Sequence, residues 1–294
     1  RYLHIISKNS AQLKNCHPIN LTIYQILAST YHSEIAIHKD PAHKFGHSNI
    51  ISKFFRVQQH HHLMNLLNRE NFRNDIQSLR ALAVGLVIAS HAGLSWLPGG
   101  FVGVDVFFVL SGFLISGIIL REVQTLGQFD PWLFYAQRLK RLLPALAATL
   151  VVSGAVAWFS SSPQQQIADS AAGQAAALWL SNIYFATRKI NYFDQGAHNN
   201  LFLHTWSLSV EEQFYLVWPS ILLFLYGAWR WQGRSFNHFR LWLGLSLLAA
   251  LSLLLAIYLA KNQVEDGFYL MPSRAWEFSL GTLIYLASES PRLY

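Results

Sequence analysis

Residues 76–120 constrain the chain most. They read as two membrane-crossing segments joined by the tight turn Leu97-Pro98-Gly99-Gly100. The first segment carries Arg80 and His91 and the second carries Asp105. Hydrocarbon penalises an Arg or Asp near a helix centre by roughly 2.5–3.5 kcal/mol on insertion scales, so such groups in two adjacent apolar helices point to use. Arg80 and His91 are eleven residues apart, close to three helical turns. They therefore share a face and stand about 16 Å apart along the axis, within a span about 30 Å thick. The alternative is that Arg80 snorkels to a headgroup and His91 is a satisfied interhelical residue.

Composition agrees with a bilayer as solvent. Charged residues make up 13% of the 294, and 52% are hydrophobic, whereas a soluble domain carries about 25% charged residues. The ten Trp and twenty Phe suit interfacial aromatic belts. The net charge of +7 does not call for nucleic acid, because Arg and Lys cluster beside apolar spans. The one cysteine, Cys16, excludes an internal disulfide and a multi-cysteine metal site.

Residues 1–70 differ from the rest. They hold nine of the thirteen His, no Trp and no apolar run long enough to span. They read as a weakly specified, poorly ordered tail foreign to the functional unit. The run His60-His61-His62 invites a metal reading, against which stands that bland one. The chain begins at Arg1, no secretory signal peptide is evident, and both ends read as cut.

From Arg69 onward the spans expected are 79–97, 101–120, 145–159, 168–186, 208–229, 241–260 and 275–287, the fourth Ala-rich and weak, the seventh short. Arg69, Arg73 and Arg80 suggest a cytoplasmic start. Residues 134–144 read as a basic amphipathic element at the membrane surface, with Arg138 and Arg141 facing one way. That guanidinium pair could hold donor phosphates bidentately or simply anchor to lipid headgroups. Residues 160–166 are a neutral polar loop, and 191–203, polar with aromatic interleaving, a loop over the bundle. If 204–219 is helical, His204, Ser207, Glu211 and Tyr215 line one stripe, and Glu212 points about 100° away. A polar stripe on a membrane helix must face the bundle interior or water. The two glutamates are alternatively structural partners of Arg80 or another buried cation. Arg274 and Glu277 can pair at i, i+3 at the entry to the last span. One conflict remains: the basic loop 230–240 should be cytoplasmic, yet counting seven spans from a cytoplasmic start puts it outside.

These residues carry a resemblance. Arg80 and His91, then Gly103-Val104-Asp105-Val106-Phe107-Phe108-Val109-Leu110-Ser111-Gly112-Phe113-Leu114-Ile115, then the blocks 134–144, 204–219 and 272–281, are similar in order and wording to the acyltransferase-3 family of bacterial membrane proteins, over residues 73–288. The resemblance implies an all-α polytopic bundle of about ten spans in the bacterial cytoplasmic membrane, of which about seven are expected here. It implies transfer of an acyl group, often acetyl, from a cytoplasmic donor such as acetyl-CoA to a hydroxyl of a cell-surface polysaccharide, with no metal. The last blocks resemble the branch that acylates cell-envelope sugars and often carries an SGNH-type domain, expected here as a missing periplasmic partner. By position, His91 matches the family's essential histidine, Arg80 its partner arginine, Arg138 and Arg141 the basic pair, and Glu211 and Glu212 the acidic pair.

The chemistry expected from these types is acyl transfer with His91 accepting the hydroxyl proton or relaying the acyl group. Arg80 and Arg138/Arg141 would bind donor phosphates or stabilise the oxyanion. Glu211 or Glu212 would orient His91 or bind acceptor hydroxyls. Asp105 is expected to fix helix packing or pair with Arg80, and Ser111, His204, Ser207, Tyr215, Arg274 and Glu277 to serve substrate or structure. A transporter or flippase, and an inactive fragment, are the competing classes.

Overall fold

The computed structural model describes residues 74–92, 99–194, 196–227, 238–262 and 265–289. The expectations for 1–70, for Leu97-Pro98 and for most of the 230–240 loop lie outside the described residues. The chain is a helical membrane bundle, with no strand among the described residues.

The first two helices, α1 (Asn74–His91) and α2 (Val102–Leu126), form an antiparallel hairpin. Gly103 lies against the Ala83 carbonyl and Val87, and Gly100 against Leu86 and Ser90. Helix α3 (Pro131–Ser160) is capped by Asp130, whose side chain accepts from the Leu133 N–H at 3.1 Å, with Pro131 in the first turn. It runs unbroken through Pro144 for 30 residues. The expected surface element at 134–144 and the expected span 145–159 are therefore one helix. At about 45 Å it exceeds the hydrocarbon thickness, so its first turns can emerge from the bilayer.

The expected fourth span is not continuous. Helix α4 (Pro163–Ala177) ends after 15 residues, Trp179 takes a left-handed conformation at φ 55°, and α5 (Ser181–Thr187) adds one short stretch. Neither reaches the roughly 20 residues a crossing needs. Polar anchors hold the break in place. The buried Asp169 accepts from Gln165 and from the Leu201 N–H, Ser181 bonds Ser209, and Asn182 bonds Gln213.

Three helices then complete the bundle: α6 (Thr205–Tyr226), α7 (His238–Lys261) and, after the short α8 (Asp266–Tyr269), α9 (Met271–Glu289). Helices α2, α6 and α9 run parallel, as successive rungs show. Asp105 meets Arg274, Ser116 meets both Thr282 and Trp218, and Gln124 meets Tyr226. Gly112 and Gly281 let α2 and α9 touch at the backbone, since a Cβ on either would strike a main-chain oxygen of the other helix.

Among the described residues four helices are long and apolar enough to cross a membrane: α2, α3, α6 and α7. Expected spans one and seven correspond to α1 and α9, of 18 and 19 residues, which fall short on composition. The reason is clear for α9: its Ser273, Glu277, Ser279 and Thr282 are buried against other helices rather than facing lipid. The fifth and sixth expected spans are α6 and α7.

Candidate functional site

The candidate side chains lie in two layers. The upper layer is at the end of the bundle where α1 finishes and α2, α6 and α9 start. His91 closes α1, and its Nδ1 lies 2.8 Å from the Val87 carbonyl oxygen. A carbonyl only accepts, so in this contact Nδ1 carries the proton and Nε2 is left as the basic nitrogen. Nε2 lies 3.4 Å from the Tyr192 hydroxyl. Tyr192 is buried, stacks on Phe268 at 4.8 Å and bonds the Trp206 side chain. Burial pushes its phenol up, and the Trp206 bond partly offsets this.

Arg274 packs on two of the same rings, 4.9 Å from the Phe268 ring centre and 5.7 Å from that of Trp206. Its Nη1 donates to Glu277 at 2.9 Å and to Asp105 at 3.1 Å, and its Nε to the Phe268 carbonyl at 2.9 Å. The expected Arg274–Glu277 pair is thus present. The expected alternative for Asp105, pairing with Arg80, is not: Arg274 takes that carboxylate, because α2 and α9 start level with one another. Arg80 is half-buried and makes no ion pair among the described residues.

His204 sits just before α6. Part of the residue reaches the surface, yet its ring is crowded by protein, and this desolvation, with the nearby His91 imidazole, holds its pKa below the ordinary value against a backbone bond at Leu201. Ser207 donates to the His204 carbonyl at 3.3 Å.

The lower layer lies about 9 Å deeper, the rise of the six residues from Asp105 to Ser111. Ser111 Oγ and Tyr215 OH both donate to Glu211 Oε1, and the two hydroxyls are 3.3 Å apart. Arg138 reaches in from α3 and lies 4.8 Å over the Tyr215 ring. Glu212 is buried, and its Oε1 has no hydrogen-bond partner among the described residues. The expected stripe therefore divides. Glu211 and Tyr215 belong to the lower layer, His204 and Ser207 to the upper.

Two expectations are corrected by this geometry. Neither glutamate orients His91; the Val87 carbonyl and Tyr192 do. Nor do Arg138 and Arg141 act alike, since Arg138 turns inward onto Tyr215 while Arg141 is exposed. The sequence reading missed Tyr192, Trp206 and Phe268. The aromatic interleaving of 191–203 was the available signal, but nothing in it says which ring meets His91.

Fold and site together define a multi-pass helical membrane protein with a histidine, an aromatic cage and a paired guanidinium at one end of the bundle. The acyltransferase domain family (Acyl_transf_3) matches residues 73–293, and the chain belongs to that family. It is 38% identical over 219 residues to a protein of Komagataeibacter xylinus named as a membrane-bound transacylase, BcsY, covering 74% of this chain and 52% of that one. It is 35% identical over 208 residues to the peptidoglycan O-acetyltransferase OatA of Listeria monocytogenes, covering 70% of this chain and 32% of that one. A Staphylococcus aureus protein named as an O-acetyltransferase is 41% identical over 150 residues, 51% of this chain and 24% of its own length. The chain thus spans about half or less of the length of these relatives. No solved structure matches it.

Proposed function

We propose that this chain forms the transfer domain of an O-acyltransferase of the bacterial cytoplasmic membrane. The acyl group, acetyl by the names of its relatives, moves from a cytoplasmic acyl-CoA to a hydroxyl of a cell-envelope polysaccharide. The observation that carries the reading is His91, with Nδ1 held by Val87 and basic Nε2 facing Tyr192. Nε2 takes the proton of the attacking glycan hydroxyl while its oxygen bonds to the thioester carbonyl. The tetrahedral intermediate then collapses, the C–S bond breaks, and the thiolate leaves with the proton returned by His91.

Charge supports the sidedness. Arg121, Lys140, Arg141 and Arg240 lie on helices that start or finish at the Glu122 end, which the positive-inside rule makes cytoplasmic. His91 then faces outward. The exposed Arg141 is the contact for donor phosphates, and Arg80, about 16 Å below His91 on α1, is the cation along the donor's path.

The test is incorporation of labelled acetyl from acetyl-CoA into glycan by membrane vesicles. His91→Ala, at normal membrane abundance, is expected to lose about 10²–10⁴-fold, the usual worth of a general base. Undiminished ester formation in that variant overturns the mechanism. A transporter would move label across the vesicle without forming an ester.

A further inference from the structure

Beside Arg274 and Phe268 lies an open groove of about 650 Å³ that the proposed chemistry leaves unused. Phe193, Phe268 and Trp276 line it with Arg274, Asn191 and Glu265, and the aliphatic face of α7 around Ile257 forms its floor. Resting on the function proposed above, we propose that this groove binds a neutral oligosaccharide: the sugars of the acceptor chain next to the one acylated at His91.

The lining has the two ingredients that hold sugars. Sugar rings present apolar C–H faces, which stack on aromatic faces, and Phe193 offers such a ring with 57% of its surface exposed. Sugar hydroxyls need fixed donors and acceptors. Arg274 is fixed by Asp105, Glu277 and the Phe268 carbonyl, and those bonds use Nε and Nη1. The N–H groups of Nη2 have no hydrogen-bond partner among the described residues and are the spare donors. Glu265 and Asn191 add a carboxylate and an amide.

Charge selects among occupants. The lining holds one cation, Arg274, and its charge is already matched by Asp105 and Glu277, while Glu265 adds a further carboxylate. No positive charge is left over for a phosphate headgroup. The volume falls within the roughly 300–1,000 Å³ of small-ligand sites.

The position fits the chemistry. Tyr192 lies between Asn191 and Phe193 in sequence, its ring stacks on the groove wall Phe268, and its hydroxyl meets His91 Nε2. Two stacked side chains, Phe268 and Tyr192, therefore separate a bound chain from the base, and a neighbouring sugar of that chain is delivered past them to His91.

The experiment measures equilibrium binding of two neutral series, glucose oligomers and N-acetylglucosamine oligomers from monomer to tetramer, to the whole protein in nanodiscs, alongside acetyl transfer to the same series. For at least one series, wild type is expected to bind the tetramer at least tenfold more tightly than the monomer. That ratio is expected to collapse towards one in both Phe193→Ala and Glu265→Gln. Length-independent binding of both series, or a ratio unchanged in both variants, overturns the subsite. So does an alkyl chain of the bilayer filling the groove, seen as binding that tracks lipid chain length. Oligomer binding that is lost in the variants, without any transfer by wild type, upholds the groove and overturns the proposed function instead.

Discussion

The Val87 carbonyl decides which His91 nitrogen is a base, and Tyr192 decides what that nitrogen meets first. Tyr192→Phe removes the hydroxyl's bonds to His91 and Trp206 and keeps the ring stacked on Phe268. The expected loss in transfer rate is about fivefold, near 1 kcal/mol, far less than for His91→Ala; equal losses would make Tyr192 part of the chemistry itself. His204 yields a pH prediction. Its folded pKa lies below its ordinary value, so the unfolded chain binds the proton first as pH falls. The stability it contributes is complete above about pH 6.5 and declines as acid is added through the lowered folded value. His204→Gln is expected to flatten the fall in Tm between pH 7.5 and 5, read by thermal melts in detergent; a His204→Gln curve parallel to wild type would refute it. Arg274 stands between two carboxylates, one of them, Glu277, with no exposed side-chain surface. Arg274→Ala strands both and is expected to cost about 3–5 kcal/mol. The triple change Arg274→Met, Asp105→Asn, Glu277→Gln should recover most of that loss, and unfolding assays that find no recovery would show that the pairing is not what stabilises the site.

Helices α2 and α9 meet where neither can carry a side chain. Gly112 and Gly281 lie backbone to backbone, and the rung Ser116–Thr282 at 2.7 Å, extended by Trp218 at 2.8 Å, ties α6 to the same pair. Without a hydrophobic force between helices inside lipid, such close packing and buried hydrogen bonds do the work of association. Gly112→Val is expected to force the helices apart and to lower detergent stability by a few kcal/mol, the cost of overpacking with backbone displacement. A neutral outcome would place the α2–α9 contact elsewhere. Much of this was legible in the residues. Long apolar runs gave α2, α6 and α7, and i, i+3 spacing gave Arg274–Glu277. What was not legible depends on tertiary level. Asp105 finds Arg274 only because α2 and α9 start at the same height, 169 positions apart in sequence. The continuity of α3 through Pro144 hinges on bilayer surroundings that tolerate a helical proline. The end of α4 at Ala177 follows from buried partners of Asp169, Ser181 and Asn182, not from any Gly or Pro at the break.

At the scale of the whole molecule that break bears on the one conflict in the sequence. Seven crossings from a cytoplasmic start would place the basic residues Arg230, Arg234 and Arg240 outside. With α4 and α5 returning the chain to the end at which α3 left it, α6 starts level with Asp105 and finishes at Tyr226 beside Gln124, at the Glu122 end. Single cysteines in a Cys16→Ser background test this directly. Gln164 and Arg188 flank the interrupted segment, and both are exposed, as is Gln128 between α2 and α3. An impermeant maleimide applied to one face of sealed vesicles is expected to label Gln164→Cys and Arg188→Cys together, and to label Gln128→Cys and Arg234→Cys only from the other face. Had 168–186 crossed, Gln164→Cys and Arg188→Cys would label from opposite faces. His91 would keep its side, since it precedes the break. His204, Arg274 and Trp206, which follow it, would be carried to the wrong end of the bundle, and the contact between Tyr192 and His91 could not form. Opposite labelling of those two positions would therefore remove the site as well as the topology.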